Sequence, residues 1–222
     1  DHSLMIPTIL LTRDASIRTI REAFRLGIGD FLLKEELEAV SIVDIVTAAM
    51  QSGELNRRNQ EWQEERRERA VRDGLTNLYN HRHFVESLEK EFLRSRRYLR
   101  PLSLMMIDLD GFKAINDRCG HPRGDALLIQ TARLLEGSVR EVDLLARYGG
   151  DEFVILLPET PPEQAYLLAN RLLEEIRRHP FLDGSHIYPL SASIGVAGYH
   201  PGLASAGRLI KEADLALYEA KR

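Results

Sequence analysis

Short apolar runs alternate with helix-period patterns in the first part of the chain. Residues 6–12 and 31–33 are mostly apolar and predict strands, and apolar positions three or four residues apart predict helices over 17–24 and 39–50. Strands that alternate with helices are typical of a parallel sheet. Two strands and two helices are too few to cover such a sheet, so residues 1–51 are interpreted as part of a domain.

Residues 52–72 are dominated by charged side chains and predict a helix that connects two parts of the chain. Glu54 and Arg58 form one of three acid–arginine pairs that stand four residues apart in the order that stabilises a helix. Leu55 and Trp62 are one heptad apart. Two interpretations stay open: a solvated connecting helix, or a two-helix signalling stalk.

The remaining residues, 73–222, predict an α/β domain with a central mixed β-sheet flanked by helices. The run 102–109 is apolar enough for a buried strand, and 190–198 is a strand rich in small residues. Apolar positions at helical spacing mark helices around 84–92, 165–176 and 209–220.

Residues 147–153 read RYGGDEF and lie between two apolar runs, which predicts a β-hairpin with Gly149 and Gly150 in its turn. Asp151 and Glu152 follow at the tip. Hard cations prefer oxygen ligands, and glycine lets a nucleotide approach the backbone closely. A tip of this composition therefore suits a metal-bound phosphate, although taken alone it is more often only a polar turn.

A second segment makes a metal–phosphate site more plausible than a simple polar turn. Asp108 stands at the end of the buried strand, and an ionised acid beside a core is costly unless it is paired or metal-bound. Lys113, Asn116 and Asp125 follow around the next helices. Asp110 shares the strand face of Asp108, and we predict that it caps the short helix after it. Taken without any family resemblance, these residues predict a site that binds phosphate with the help of a metal ion.

Together these segments resemble the GGDEF family, the diguanylate cyclases, over residues 73–222. The matching motifs are DGLTNLYN at 73–80, the stretch 108–125, RYGGDEF at 147–153, SIGV at 193–196 and the stretch 213–221. The resemblance implies that two GTP give cyclic di-GMP and two pyrophosphates. It also implies a homodimer of facing half-sites, in which each 3′-hydroxyl attacks the partner's α-phosphate.

The resemblance implies a role for each residue around the hairpin tip. Asp108, the Leu109 carbonyl and Asp151 would hold Mg²⁺ or Mn²⁺, with Glu152 assisting. Asp151 would also deprotonate the attacking hydroxyl, because a metal lowers that group's pKa. Lys113 would stabilise charge on the transferring phosphoryl group.

Asn116 and Asp125 are the predicted guanine readers, because a carboxylate accepts from the donor edge that guanine has and adenine lacks. His121 either lines the same pocket or only packs beside it. The family has a second phosphate-binding arginine beyond Lys221, and without it substrate binding would weaken. The predicted GTP contacts are Phe112, Asn116, His121, Asp125, Gly149, Gly150 and Lys221.

Arg140 and Asp143 stand before the hairpin at the spacing of the family's RxxD inhibitory site. The resemblance implies that the arginine grips cyclic di-GMP and that the aspartate takes a guanine edge. The alternative is a surface ion pair. Arg94 is the predicted second arginine, which would reach a product bound on a neighbouring domain.

Residues 1–51 resemble the C-terminal part of a response-regulator receiver domain. Thr12 matches the family's switch position and Lys34 its site lysine, whereas Glu35 stands where the family usually has proline. The strand with the phosphoacceptor aspartate does not lie in this sequence, which predicts a fragment of such a domain.

Composition and net charge bear on the partners and the location of the protein but do not identify its reaction. The 222 residues carry a net charge of -4, which gives no general attraction to nucleic acid. One cysteine, Cys119, and no apolar run of spanning length predict a soluble cytoplasmic protein without a membrane span. The alternative function is a catalytically silent module that binds cyclic di-GMP or GTP. A cyclase using ATP is disfavoured by Asp125.

Overall fold

The computed structural model describes residues 9–13, 16–25, 30–34, 71–183 and 186–222, together with helical positions 43, 47, 50, 51, 53–55, 57, 58 and 62. The chain divides into two compact units, residues 1–68 and 69–222. The predicted start of the catalytic domain at residue 73 falls just inside the second unit.

The first unit contains β1 (Ile9–Thr12), α1 (Ile17–Arg25) and β2 (Asp30–Leu33). β1 and β2 pair in parallel. The backbone N–H of Lys34 donates to the Thr12 carbonyl at 2.9 Å, so the two predicted receiver-like positions are neighbours. The predicted strand–helix–strand order and the parallel pairing are confirmed.

The described positions between 43 and 62 are helical. The predicted Glu54–Arg58 pair is present, with 3.3 Å between Oε1 and Nη2. Ala39 and Val46, two apolar positions of the helix predicted over 39–50, lie outside the described residues. The same holds for Glu65, Arg69 and Glu68, so the predicted pairs Glu65–Arg69 and Glu68–Arg72 stay predictions. Exposed apolar residues of this segment are Val43, Met50, Leu55 and Trp62.

The second unit is an α/β domain with helices on both faces of one sheet. Its elements are α2 (His81–Tyr98), β3 (Leu102–Leu109), α3 (Phe112–Cys119), α4 (His121–Ser138), β4 (Leu144–Gly149), β5 (Glu152–Pro158), α5 (Pro162–Arg178), β6 (Phe181–Asp183), β7 (His186–Tyr188), β8 (Ala192–Gly198) and α6 (Ala206–Ala220).

The central sheet has four strands in the order β4-β5-β3-β8. The predicted class and layered architecture are confirmed, but the sheet is antiparallel rather than mixed in each pairing of its strands. The tight turn between β4 and β5 forces antiparallel pairing there. β6 and β7 form a separate hairpin.

The sheet buries apolar side chains on both faces. On one face Leu104 and Met106 of β3 pack with α2 and α6 residues such as Phe84 and Leu217. The opposite face of β3 packs against α4 and α5. Each fully buried leucine or phenylalanine contributes about 1.5–3 kcal/mol. Because side chains alternate along a strand, Asp108 continues the face of Leu104 and Met106, toward α2 and α6.

Among the described residues, no helix combines the length and the apolar character needed to cross a membrane.

Candidate active site

The predicted hairpin is confirmed and its tip is a tight glycine turn. Gly150 has φ +53°, a left-handed conformation that glycine adopts without strain. Gly149 pairs with Glu152, and the register shifts between Arg147 and Gly149. This bulge and turn place Asp151 and Glu152 at the point where β5 begins.

Arg147 fastens the hairpin tip to a preceding turn. Its Nε and Nη2 donate to the Gly150 carbonyl at 3.0 and 2.8 Å, and its Nη1 donates to Asp73 Oδ1 at 3.2 Å. The side chain is 17% exposed. The sequence motifs named both residues without suggesting this contact, because they are 74 positions apart.

Asp73 in turn organises the segment that lies along β4. It accepts hydrogen bonds from the Thr76 backbone N–H and hydroxyl at 2.9 and 2.8 Å. Burial alone would raise the pKa of Asp73, but the hydrogen bonds from Thr76 and the Arg147 guanidinium hold that pKa below its ordinary value. Tyr79 joins the same segment to β4, since its carbonyl accepts from the Arg147 backbone N–H at 2.9 Å.

Arg147→Lys is expected to lower kcat of the predicted cyclase reaction by about tenfold while changing the KM for GTP little. A lysine ammonium cannot make the fork to Gly150 and the bond to Asp73 together, and a charge-assisted hydrogen bond is worth about 1.5–3 kcal/mol. Separate measurement of kcat and KM, beside Arg82→Lys on the exposed side of α2, checks this. Equal kcat in both variants would mean that Arg147 does not position the tip.

Carboxylates from two neighbouring strands meet beside the tip. Asp108 on β3 is directly opposite Glu152 on β5. The Leu109 backbone N–H donates to the Asp151 carbonyl at 3.4 Å, so Leu109 and Asp151 are also neighbours. Burial and the charges of Asp108 and Asp151 raise the pKa of Glu152. The structure therefore brings together the four residues predicted for the metal site.

Lys221 joins this acid group from the end of α6. Its Nζ lies 2.7 Å from Asp108 Oδ2, so the predicted triphosphate lysine contacts a predicted metal ligand. Gly195 lets α6 come close enough for this contact, because a Cβ at Gly195 would lie 2.2 Å from the Ala213 carbonyl oxygen. The missing side chain lets α6 lie directly on β8.

The predicted capping role of Asp110 is wrong. The N-cap of α3 is Gly111, without a side-chain hydrogen bond. Asp110 instead accepts hydrogen bonds from the hydroxyls of Ser191 and Ser193, both at 2.8 Å. These two hydroxyls satisfy the carboxylate, and they tie the end of β3 to β8.

The predicted base pocket lies where α3 meets α4. The Asn116 carboxamide Oδ1 is buried without a hydrogen-bond partner among the described residues. A Cβ on Gly124 would lie 1.9 Å from that oxygen, so only glycine leaves the Asn116 side chain its place. The sequence motifs did not assign Gly124 this role. Asp125 follows it on α4, and both Asp125 and His121 are exposed.

The predicted catalytic lysine, Lys113, and the predicted GTP contact Phe112 are neighbours in the sequence that differ in exposure. Lys113 lies exposed in the first turn of α3. The Phe112 side chain is 5% exposed and belongs to the core cluster, and its predicted contact with GTP stays a prediction. Its backbone N–H, in the first turn of the helix, is the group that a phosphate can reach.

Arg140 and Asp143 border a separate cavity of about 670 Å³ between the end of α4 and α5. The Arg140 backbone N–H donates to Asp143 Oδ2 at 2.9 Å, while Asp143 Oδ1 is buried without a partner in the described part of the chain. Burial raises the pKa of Asp143, opposed by the hydrogen bond and the charge from Arg140.

Arg171 lines the same cavity and was missed from the sequence. Its Nη2 donates to the Ser138 carbonyl at 2.6 Å, which holds the guanidinium beside the loop of Arg140. Arg94 does not line this cavity; it lies 3.6 Å from Glu91 and 3.8 Å from Glu159, measured between guanidinium nitrogen and carboxylate oxygen. Its predicted contact with a neighbouring domain stays a prediction.

The fold and these motifs are those of a known family. Residues 70–222 match the family model for the diguanylate cyclase GGDEF domain, and the chain belongs to that family. The chain is 38% identical over 153 residues to probable diguanylate cyclase DgcC of Escherichia coli K12, and 37% identical over 156 residues to response regulator PleD of Caulobacter vibrioides.

These matches cover 69% of this chain but only 41% of DgcC and 34% of PleD, so the chain spans less than half the length of these relatives. A solved structure of the coiled coil and GGDEF domain of DgcB from Caulobacter crescentus, in complex with c-di-GMP, is also similar. It has a TM-score of 0.74 and 28% identity, and it covers 84% of this chain and 95% of its own.

Proposed function

We propose that this protein is a diguanylate cyclase that converts two GTP into cyclic di-GMP and two pyrophosphates. The observation that carries the proposal is the meeting of Asp108, Asp151 and Glu152 at adjacent strand ends. Carboxylates held this close repel one another and are costly to keep together unless a cation neutralises them. Phosphoryl transfer from GTP requires such a cation.

The donor set fits Mg²⁺ or Mn²⁺ bound together with a nucleotide. Asp108, Asp151 and the Leu109 carbonyl would hold the ion, with Glu152 assisting. Among the described residues, no group of three or more His, Cys, Asp or Glu side chains could hold a metal ion by itself. Mg²⁺ bound with a nucleotide takes only one or two carboxylates and completes its shell with water and substrate phosphates. Such an ion would lower the pKa of the 3′-hydroxyl and neutralise charge on the phosphates.

The chain's own residues would then position and deprotonate the substrate. Arg147 fixes the turn that carries Asp151, so the carboxylate that accepts the 3′-hydroxyl proton stands on a rigid tip. Lys113 and Lys221 supply positive charge for the phosphates. Asp151 is only partly exposed, which strengthens its electrostatic action compared with a fully solvated acid.

The α3–α4 junction would read the base. The Asn116 Oδ1, unpartnered among the described residues, is an acceptor for the 2-amino group, which guanine has and adenine lacks. Asp125, on the exposed side of α4 next to Gly124, would accept from the same donor edge.

Asp125→Ser is expected to relax the preference for GTP over ATP. A hydroxyl donates as well as accepts, whereas a carboxylate left unpaired by adenine costs about 1.5–3 kcal/mol, roughly a factor of ten to a hundred. The measurement is kcat/KM for both nucleotides in the variant and the parent. An unchanged ratio would mean that Asp125 does not contact the base.

Two copies of the domain are required because each holds one GTP. Each 3′-hydroxyl must attack the α-phosphate of the GTP on the partner, so the relative position of two half-sites controls the rate. The exposed Leu55 and Trp62, one heptad apart, support association through the helical segment. Response-regulator output is proposed from the adjacent Thr12 and Lys34 and from the likeness to PleD.

We also infer that the cavity beside Arg140 binds the product. Cyclic di-GMP carries two phosphate charges and two guanine edges, which match the guanidiniums of Arg140 and Arg171 and the free Oδ1 of Asp143. A product bound there lies outside the acid group of the hairpin tip, so it would inhibit by holding domains apart rather than by displacing GTP.

Steady-state assays of pyrophosphate and cyclic di-GMP with GTP and Mg²⁺ test the proposed activity. Two pyrophosphates per cyclic dinucleotide, with a rate that rises faster than linearly with protein concentration, are expected. Binding of GTP without turnover would instead identify a silent nucleotide-binding module.

A further inference from the structure

Lys221 forms an ion pair with Asp108 that phosphate binding alone does not explain. Its ammonium nitrogen lies 2.7 Å from Asp108 Oδ2, and the Asp108 side chain is only 14% exposed. The backbone of Lys221 is fixed at the end of α6, since its N–H donates to the Leu217 carbonyl at 3.2 Å. The flexible side chain, 38% exposed, can move while that backbone stays in place.

The charges around Asp108 explain why the lysine lies there. Asp108 faces Glu152 across the β3–β5 pair, and like charges directly opposite each other destabilise a sheet. Asp151 and Asp214 add further negative charge near Glu152. Among the described charged groups that act on Glu152, Lys221 is the one that opposes the acids. The lysine therefore supplies the cation that this acid group requires.

We propose that Lys221 is an exchangeable counter-ion: it neutralises Asp108 in the nucleotide-free domain and gives up that carboxylate when a divalent cation binds. An ammonium and a divalent ion would compete for the Asp108 carboxylate, and they would repel each other at such short range. The released ammonium is then free to pair with the phosphates of the nucleotide. This inference rests on the proposed metal site and adds the coupling between the metal and the lysine.

The proposed exchange predicts that loss of the Lys221 charge tightens Mn²⁺ binding and weakens GTP binding. Lys221→Met removes the competitor, so the nucleotide-free domain should bind Mn²⁺ more tightly, by about fivefold for an ion pair at the upper end of the usual strength. The same substitution removes a phosphate contact, so GTP should bind more weakly. A lysine that acted only on phosphate would change GTP affinity and leave Mn²⁺ affinity unaltered.

Mn²⁺ titration of the nucleotide-free protein, followed by electron paramagnetic resonance, measures the first effect directly. Parent, Lys221→Met and Lys211→Met are compared, because Lys211 is an exposed lysine of the same helix. Tightening in Lys221→Met alone is expected, and Lys221→Arg should bind Mn²⁺ like the parent. In the background of Asp108→Asn the gain should disappear. Thermal unfolding of each variant confirms that it is folded.

Equal Mn²⁺ affinity in the parent and Lys221→Met overturns the inference, and so does the absence of Mn²⁺ binding to Lys221→Met. Equal tightening in Lys211→Met also overturns it, because the effect would then be a general loss of positive charge. Synthesis of cyclic di-GMP by the parent is measured on the same preparation. Turnover without the Mn²⁺ effect leaves the proposed function standing, and the Mn²⁺ effect without turnover leaves only the exchange.

Discussion

Asp151→Asn is expected to abolish cyclic di-GMP formation, with a loss of at least about a thousandfold in kcat. The amide keeps the shape of the side chain but loses the charge that holds a cation and the basicity that accepts the 3′-hydroxyl proton. Removal of one preorganised electrostatic group costs about 10²–10³ in kcat, and Asp151 is proposed to serve both purposes. Cyclic di-GMP formed per minute from GTP and Mg²⁺ is the measured quantity.

The fold should survive this substitution. Asp151 lies in the turn after Gly150, outside both core clusters. The Arg147 fork binds the Gly150 carbonyl rather than the Asp151 carboxylate, so the tip keeps its anchor. The unfolding temperature should therefore match that of the parent and of the control Glu89→Gln, an exposed acid of α2. Near-normal turnover by Asp151→Asn would remove this residue from the mechanism.

The hairpin and the buried strand were predictable because their signals are local. Gly149 and Gly150 between two apolar runs specify a turn, and the apolar run 102–109 specifies a strand buried on both faces. The meeting of Asp108 with the tip followed from the family resemblance. Apart from the hairpin, the sequence contains no signal for which strands are neighbours, which is why the sheet was predicted as mixed.

The contacts that were missed join residues far apart in the chain. Asp110 was assigned to the nearest helix, but Ser191 and Ser193 reach its carboxylate from a strand more than eighty positions later. Arg147 with Asp73 and Lys221 with Asp108 are of the same kind. Such pairs depend on how helices and strands pack, and periodicity does not encode that packing.

Gly124 and Arg171 had weaker local signals. A glycine early in a helix is unfavourable by about 1 kcal/mol, so Gly124 signals a close contact without naming its partner, Asn116. Arg171 lies on a helix with other exposed arginines, and its place in the cavity and its bond to the Ser138 carbonyl distinguish it from Arg177 and Arg178. The sequence shows the residue type at such positions but not which residues lie beside them in the fold.

Arg140→Ala is expected to shift product inhibition to cyclic di-GMP concentrations about ten to a hundred times higher, while the initial rate stays the same or rises. The guanidinium offers charge-assisted hydrogen bonds worth about 1.5–3 kcal/mol, which alanine cannot make. The cavity loop should remain intact because the Arg140 backbone N–H, and not its side chain, donates to Asp143 Oδ2. This backbone bond makes Arg140→Ala a cleaner test than removal of Asp143, whose carboxylate organises the loop.

Progress curves with added cyclic di-GMP measure the effect in the parent, Arg140→Ala and Arg171→Ala. Arg133→Ala is the matched control, since Arg133 is an exposed arginine of α4 that does not line the cavity. Both cavity variants should relieve inhibition and the control should not, because only the cavity arginines can reach the two phosphates of one product molecule. Inhibition unchanged in both cavity variants would leave Arg140 and Asp143 as a surface pair. A rise in KM for GTP in Arg140→Ala would instead place the arginine at the substrate, and the two sites could not then be separate.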